Sequence, residues 1–366
     1  MFPFWLALLA GLCSCIQAQA QLNADSLRQI WSDKAAPDTL RWDALSSLIW
    51  QEYMYSDPDS AEDLATLVLK EAKASGSRAW QANAMNTLAI SFAVRGDLDS
   101  AIVLLQQCVP IRSALGQTSH LAGLQSNLGN MYADQGDLEK AVTAYKESFG
   151  LAHQLGDSAL MAGNLTNIGI AYQDLGLVGK ASESLYRAIA LREALNDRRG
   201  LANAYSPLAE VYVFLGDTAG ALDLRERAAA IYEEIGDDRS LGIVLESMAL
   251  MRASMGDLEE AIRLSRRSLE LLSRIGDVRS ISNTSRGLGT FLLKAGRTDE
   301  AIVHLERSVA IDDSAGYSGL LVHSLNALAR GRLEQGRTAD AEKRYTQALE
   351  RATALGIQDA RSTAAS

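Results

Sequence analysis

The chain has 366 residues, a formal net charge of −10 and a pI near 5.0. Because a nucleic-acid backbone is bound by basic surfaces, this acidic balance argues against a nucleic-acid partner. Charged residues make up 22% of the chain and are interspersed along it, which is typical of a soluble protein surface.

Residues 1–20 predict an export signal that is cleaved from the mature protein. The run from Phe2 to Ile16 is almost wholly apolar, and Ala18-Gln19-Ala20 has the small-x-small pattern of a signal-peptidase site. The predicted location is therefore periplasmic or secreted. A single anchor helix is the alternative, and Leu12-Cys13-Ser14-Cys15 also resembles a lipoprotein cleavage box with Cys15 as the lipid acceptor. After this signal no apolar stretch is long enough to span a bilayer.

A short helix is predicted near residues 24–34, within a capping segment assigned to residues 21–37. All tryptophans that follow the signal lie before residue 81, at Trp31, Trp42, Trp50 and Trp80. Their large apolar rings, together with the short helix, predict a cap over the N-terminal end of whatever follows.

From residue 76 onward a glycine or an asparagine recurs every 20 residues, in two interleaved series. The positions are Gly96, Gly136, Gly176, Gly216, Gly256, Gly296 and Gly336, and Gly76, Gly116, Gly156, Asn196, Gly236, Gly276, Gly316 and Gly356. Only Asn196 is not glycine, and asparagine is the other residue that tolerates a left-handed backbone. Each series has a fixed 40-residue period, which predicts stacked supersecondary units and not one globular core.

The unit from 118 to 157 shows what each repeat contains. Its first half places apolar residues at helical spacing, at Leu121, Leu124, Leu128, Met131 and Tyr132. Gly136 ends this helix, and Asp137 caps a second one whose apolar stripe is Ala141, Val142, Tyr145 and Phe149. Each unit is therefore predicted to be a helical hairpin, with a first helix A and a second helix B.

Helix A contains small residues that predict close helix packing. Gly129, Gly169 and Gly289 share one position, and four other units have alanine there, at Ala89, Ala209, Ala249 and Ala329. A glycine inside a helix costs up to about 1 kcal/mol relative to alanine, so the packing must require it. We expect helix B to approach there, at Ala141 and its equivalents.

The sequence Asn127-Leu128-Gly129-x-x-Tyr132, followed by Gly136, Ala141, Tyr145 and Ser148, resembles the signature of the tetratricopeptide repeat. The resemblance implies an all-α fold, an α-solenoid in which about eight 40-residue hairpins form a right-handed superhelix. The predicted repeats are 38–77, 78–117, 118–157, 158–197, 198–237, 238–277, 278–317 and 318–357. The 40-residue form resembles exported arrays of bacterial sensory and regulatory proteins.

The short tail 358–366 is too short for a full covering helix, although solenoids normally need a polar terminal cap. The sequence leaves three alternatives open. The last helix B is exposed, or it packs on a partner, which includes self-association, or the chain is a shortened member of a longer family.

The sequence offers no constellation of catalytic residues. Gly176-x-x-Gly179-Lys180 resembles a phosphate-binding loop. However, its two glycines do not have the required four-residue spacing, and no Ser or Thr follows the lysine. The four histidines lie in different repeats without ligand spacing. Cys108 occupies a small-residue position and is expected to be a buried thiol. We therefore expect no enzyme activity, no cofactor and no metal.

In the family that this chain resembles, the A helices line a concave groove. By register, the resemblance implies a peptide-binding groove formed by Asn83, Asn86, Asn127, Asn130, Asp134, Asn167, Asp174, Asn203, Glu210, Glu246, Arg286 and Arg330. Asparagine presents both a donor and an acceptor, so a row of them can bind an extended peptide backbone. The alternative is that Asn127 and Asn167 bridge adjacent helices. The acidic middle of the groove favours a ligand with basic residues.

The predicted function is an exported, non-enzymatic interaction scaffold that binds a peptide or helix of a protein partner. The alternative is the sensory segment of a bacterial signal-transduction system. In that case its partner would be a histidine kinase, a cyclase or a transcription regulator. Alternatively, one of these would be a C-terminal module that this chain lacks.

Overall fold

A computed structural model describes residues 23–356 of the chain. The predicted signal and the tail 358–366 lie outside these described residues. Within them the chain forms seventeen α-helices and no strand. It divides into an N-terminal unit that ends at Asp197 and a C-terminal unit that begins at Arg198.

The N-terminal unit contains α1 to α9, and each helix packs against the next along the chain. The helices are α1 (Ala24–Ser32), α2 (Asp38–Leu48), α3 (Pro58–Ala74), α4 (Arg78–Val94), α5 (Leu98–Ala114), α6 (Thr118–Gln135), α7 (Leu138–Leu155), α8 (Ser158–Asp174) and α9 (Val178–Ala194). A π-helical segment, Ile49–Tyr53, continues α2.

The C-terminal unit contains α10 to α17, which also pack consecutively. The helices are α10 (Arg198–Phe214), α11 (Thr218–Glu234), α12 (Asp238–Ser254), α13 (Leu258–Ile275), α14 (Val278–Lys294), α15 (Thr298–Ser314), α16 (Ser318–Glu334) and α17 (Thr338–Ala354). Each unit is a stack of helical hairpins, so the predicted all-α solenoid class is confirmed. The eightfold division into repeats and the hand of the superhelix stay predictions.

The recurring glycines end the helices as expected. All fifteen positions of the two series have a positive φ, from Gly96 at 88° to Asn196 at 52°. After Gly136 the carboxylate of Asp137 accepts a hydrogen bond from the backbone N–H of Lys140 at 3.2 Å, which caps α7. A left-handed residue therefore reverses the chain between consecutive helices, and at turns such as this one an aspartate then caps the next helix.

The close packing of each hairpin occurs at the small residues of helix A. A Cβ added at Gly169 in α8 would lie 2.6 Å from Cγ of Leu185 in α9 and 3.3 Å from the carbonyl oxygen of Ala181. A Cβ at Gly129 would lie 2.5 Å from the ring of Tyr145. The expected close approach to the alanine position of helix B is present at Ala181, and a bulky side chain of helix B comes closer still.

Polar side chains of helix B connect it to the backbone of helix A. The hydroxyl of Ser148 donates to the carbonyl of Ala122 at 2.8 Å, and the equivalent Ser268 donates to Gly242 at 2.7 Å. The buried thiol of Cys108 has the same role toward Ala82 at 3.7 Å, and burial raises its pKa to about 11.

The N-terminal end is closed by aromatic and ionic contacts between α1, α2, α3 and α4. The buried Arg41 guanidinium donates to the carbonyl of Trp31 at 3.2 Å and lies over its ring. Trp42 donates to Glu71 at 2.8 Å and packs edge-on against Trp80, with ring centroids 5.7 Å apart. These contacts attach the short first helix to the array.

Ion pairs join neighbouring helices of the C-terminal unit. Arg252 and Arg332 occupy the positions that tyrosines hold in earlier repeats, and they pair with Glu226, at 3.2 Å, and with Glu306. Pro207 lies inside α10, which continues through it to Phe214.

Replacing Gly169 by alanine should destabilise the protein by about 1–3 kcal/mol, because the added Cβ would force the fully buried Leu185 to shift. Gly150→Ala in α7 is the matched control, since its Cβ would meet nothing within 4 Å. By helix propensity alone it should stabilise by up to about 1 kcal/mol. Thermal melting followed by circular dichroism measures both, and shifts of the same sign would contradict this packing.

Candidate functional site

The predicted site residues all lie on A helices, in both units. In the N-terminal unit they are Asn83 and Asn86 (α4), Asn127, Asn130 and Asp134 (α6), and Asn167 and Asp174 (α8). In the C-terminal unit they are Asn203 and Glu210 (α10), Glu246 (α12), Arg286 (α14) and Arg330 (α16).

The asparagines of the N-terminal unit bond to one another across adjacent A helices. The amide of Asn127 donates to Asn86 at 3.3 Å, and that of Asn167 donates to Asn130 at 3.3 Å. Asn130 is only 8% exposed and also accepts a hydrogen bond from the Tyr145 hydroxyl at 2.8 Å. These amides therefore help to hold the helices together, which is the alternative that the sequence left open for Asn127 and Asn167.

The same asparagines keep some hydrogen-bonding capacity. The side-chain carbonyl oxygens of Asn127 and Asn167 are buried, and no group of the described residues donates to either. A buried acceptor without a partner costs free energy, and because neither oxygen is exposed, a ligand could reach it only if the asparagine side chain moved. Asn83, in contrast, is engaged by the Arg112 guanidinium.

Asp134 and Asp174 are the exposed charges of this face. They occupy equivalent positions in the last turns of α6 and α8, and neither forms an ion pair within residues 23–356. Partial burial raises the pKa of Asp134 to about 6 and also raises the pKa of Asp174. Two accessible carboxylates without a cation partner are a favourable environment for a positive group.

The acidic residues of the C-terminal unit are already engaged. Glu210 pairs with the largely buried Arg225, and Glu246 accepts a hydrogen bond from Thr284 at 3.0 Å. Burial raises the pKa of Glu246, and the Thr284 hydrogen bond opposes this. Asn203 accepts from the Tyr232 hydroxyl at 2.6 Å.

The basic residues of the C-terminal unit have fewer partners. Arg286 donates to Asn283 at 3.3 Å, and its buried Nε has no acceptor within residues 198–356. Arg330 is exposed, with its Nε 3.6 Å from Glu334 on the same helix. The predicted site residues of this unit do not hydrogen-bond to one another in the part of the chain that the structure describes.

The sequence reasoning missed two exposed apolar side chains on the same face. Phe214 in α10 is 69% exposed and Leu250 in α12 is 54% exposed. The 40-residue period could have identified them. Phe214 occupies the position of Asp134 and Asp174, and Leu250 occupies the position of Asn130 and Glu210.

Residues 23–356 contain no group of three or more His, Cys, Asp or Glu side chains placed to hold a metal ion. Among the helices of these residues, none is both long enough and apolar enough to cross a membrane.

The tetratricopeptide repeat model matches this chain over residues 120–194, 200–275 and 280–354, which together are more than half of it. The chain belongs to the tetratricopeptide repeat family. No curated protein matches it.

Several solved structures share the fold. BtubC (BKLC) from P. vanneervenii is 21% identical with a TM-score of 0.55, over 60% of this chain and 92% of that one. The quorum sensor NprR from B. thuringiensis, in its apo form, is 15% identical with a TM-score of 0.59, over 89% of this chain and 91% of that one. The third is a Signal Transduction ATPase with Numerous Domains from Pyrococcus horikoshii, which has a tetratricopeptide repeat sensor. It is 14% identical with a TM-score of 0.65, over 93% of this chain and 54% of that one.

The raised pKa of Asp134 predicts a pH-dependent stability. The folded protein holds this proton more tightly than the unfolded chain, whose carboxyl has the ordinary value of 3.8. The Asp134 contribution to the unfolding free energy should therefore fall as the pH rises from about 4 to about 6. The melting-temperature gain of Asp134→Asn over the wild type should be larger at pH 7.5 than at pH 4. An equal gain at both pH values would contradict the shift.

Proposed function

We propose that this protein is a non-enzymatic interaction scaffold whose N-terminal unit binds a segment of a partner protein that carries basic residues. The observation that carries this proposal is the pair Asp134 and Asp174. Both carboxylates are exposed, unpaired within residues 23–356 and shifted in pKa by burial.

The bridging amides support the two carboxylates. Asn127 and Asn167 hydrogen-bond to the neighbouring A helices, and they lie on the helices that carry the carboxylates, α6 and α8. Lysine or arginine side chains of the bound segment would face these carboxylates. The carboxylates would then supply charge specificity and a fast association rate.

The scaffold role is supported by the family and by the chemistry of the face. Tetratricopeptide repeats are helical hairpins that present extended surfaces. On this face the asparagines bond between helices, and the two aspartates have no cation partner among the described residues. Such aspartates are suited to binding a ligand and not to catalysis. We further propose that the protein acts outside the cytoplasm, on the strength of the predicted signal in residues 1–20.

A sensory role is the second candidate. Two of the similar solved structures are named as sensors, NprR and the P. horikoshii protein with a tetratricopeptide repeat sensor. In this role the bound segment would be the signal, and a partner protein would receive it.

The test is affinity capture from the cell-envelope fraction of the source organism. One bait is the wild-type protein and the second carries Asp134→Asn and Asp174→Asn. The matched control carries Glu147→Gln and Glu183→Gln, which remove two exposed charges from the B helices of the same hairpins. Exchanging the bridging asparagines would be a poorer test, because Asn130 and Asn167 also hold α6 and α8 together.

We expect a partner that the wild type and the control both capture and that the Asp134/Asp174 variant loses. The affinity for a basic peptide of that partner should fall by about tenfold or more, because an unpaired charge remains in the interface. Equal capture by all three baits would remove this face from the function.

The pH dependence of binding gives an independent check. A cationic segment prefers ionised Asp134, so the affinity should rise as the pH increases from 5 to 7 and level off above it. In Asp134→Asn this rise should be reduced. An affinity for the basic peptide that is constant over this range would contradict the assignment.

A further inference from the structure

The C-terminal unit joins its hairpins to one another by ion pairs. Arginines of one hairpin contact carboxylates of the next at every junction between α10 and α17. The pairs are Arg199–Asp237 (2.6 Å), Arg252–Glu226 (3.2 Å), Arg267–Glu233 (2.5 Å), Arg239–Asp277 (2.9 Å), Arg351–Asp313 (3.4 Å), Arg266–Glu300 and Arg332–Glu306. Opening any of these junctions therefore separates opposite charges.

Some of these pairs combine into a network of alternating charge between α13 and α15. Glu300 of α15 contacts both Arg266 of α13 and Arg297, which precedes α15, the latter at 2.6 Å. Arg297 also lies 3.8 Å from Glu259 of α13. Exposed ion pairs stabilise a protein more when they form a network than when they stand alone. All four side chains are partly exposed, so dissolved salt can screen them.

The N-terminal unit joins its later hairpins without such pairs. Within residues 98–194, the described ion pairs include none that joins one helix to another. The repeat positions of Glu226 and Arg252 hold Gln106 and Tyr132 in this unit, and the Gln106 amide donates to the Tyr132 hydroxyl at 2.8 Å. A neutral hydrogen bond of this kind has no net charge for salt to screen.

The balance of charge differs between the two units in the same sense. Residues 198–356 contain 21 Lys and Arg against 23 Asp and Glu, a net charge of −2. Residues 23–197 contain 13 Lys and Arg against 21 Asp and Glu, a net charge of −8. Because net charge destabilises a compact state through self-repulsion, repulsion is the larger electrostatic effect in the N-terminal unit and attraction is the larger one in the C-terminal unit.

We propose that ionic strength acts on the two units in opposite directions. Salt screens attraction and repulsion alike. Raising the salt concentration therefore loosens the junctions between hairpins of the C-terminal unit, and it relieves repulsion within the N-terminal unit. The C-terminal unit is a salt-sensitive conformational element, whereas the unit that carries Asp134 and Asp174 stays firm. This inference does not rest on the proposed function.

The experiment is hydrogen–deuterium exchange of the full-length protein at 20 mM and 500 mM NaCl, read by mass spectrometry. A protected amide exchanges when its helix opens, so its rate reports the local opening equilibrium. Peptides from α11, α13 and α15 should exchange about fivefold or more faster at the higher salt concentration. Peptides from α7 and α9 should exchange no faster, and they serve as the internal control for the effect of salt on the exchange chemistry.

Exchanging contacts between the units tests the cause. The variant Glu226→Gln, Arg252→Tyr, Glu306→Gln and Arg332→Tyr gives two junctions of the C-terminal unit the neutral contact of the N-terminal one. The salt-induced acceleration in α11, α12, α15 and α16 should fall by about half or more.

The matched control is Asp223→Asn with Lys343→Gln. It also removes charges of both signs from the C-terminal unit, but neither residue forms an ion pair among the described residues. Its salt response should equal that of the wild type. The circular dichroism melting curve of each variant checks that it remains folded, and the wild-type comparison of the two units needs no variant.

Three results would overturn the inference. They are exchange in α11, α13 and α15 that salt leaves unchanged or slows, equal acceleration in both units, and a contact-exchange variant as salt-sensitive as the control. The capture of a partner through Asp134 and Asp174 is measured separately, so failure of one does not decide the other.

Discussion

The close contact between a small residue of helix A and a bulky residue of helix B is the constraint on which each hairpin depends. Where helix A has Gly129 or Gly169, the side chain of Tyr145 or Leu185 lies directly over the glycine Cα. The repeat therefore keeps one helix pair at one separation and reproduces it along each unit. Side chains on the remaining faces of helix A are left free to vary, because they do not set the geometry.

In the N-terminal unit these variable positions of the A helices hold two kinds of polar residue. Asn130 and Asn167 are buried and bond across α6 and α8, so they stabilise the stack while retaining little capacity for a ligand. Asp134 and Asp174, one turn or more further along, are exposed and unpaired within the described residues, and burial raises the pKa of both. Recognition is therefore assigned to the carboxylates, and the amides contribute to a firm surface that presents them.

The turns and helices could be predicted from sequence because the backbone itself requires their residues, as the positive φ of Asn196 among the glycines shows. The roles of individual polar residues could not be predicted in the same way. Whether Asn130 faces solvent depends on the Tyr145 hydroxyl, which reaches it from another helix. The pairing of Arg252 with Glu226, and the buried carboxylate of Asp312 between serine hydroxyls, likewise depend on how neighbouring helices are offset. The exposed Phe214 was overlooked because an apolar residue in a helix is ordinarily assigned to the core.

A partner bound on the A helices would cover Asp134 and Asp174 and leave the carboxylates of the B helices open. Carbodiimide-dependent labelling of carboxylates, read by mass spectrometry with and without the captured partner, measures this residue by residue. We expect the partner to protect Asp134 and Asp174, whereas Glu147 and Glu183 of the same hairpins keep their reactivity. Protection of Glu147 and Glu183 with Asp134 and Asp174 still reactive would instead place the interface on the B helices.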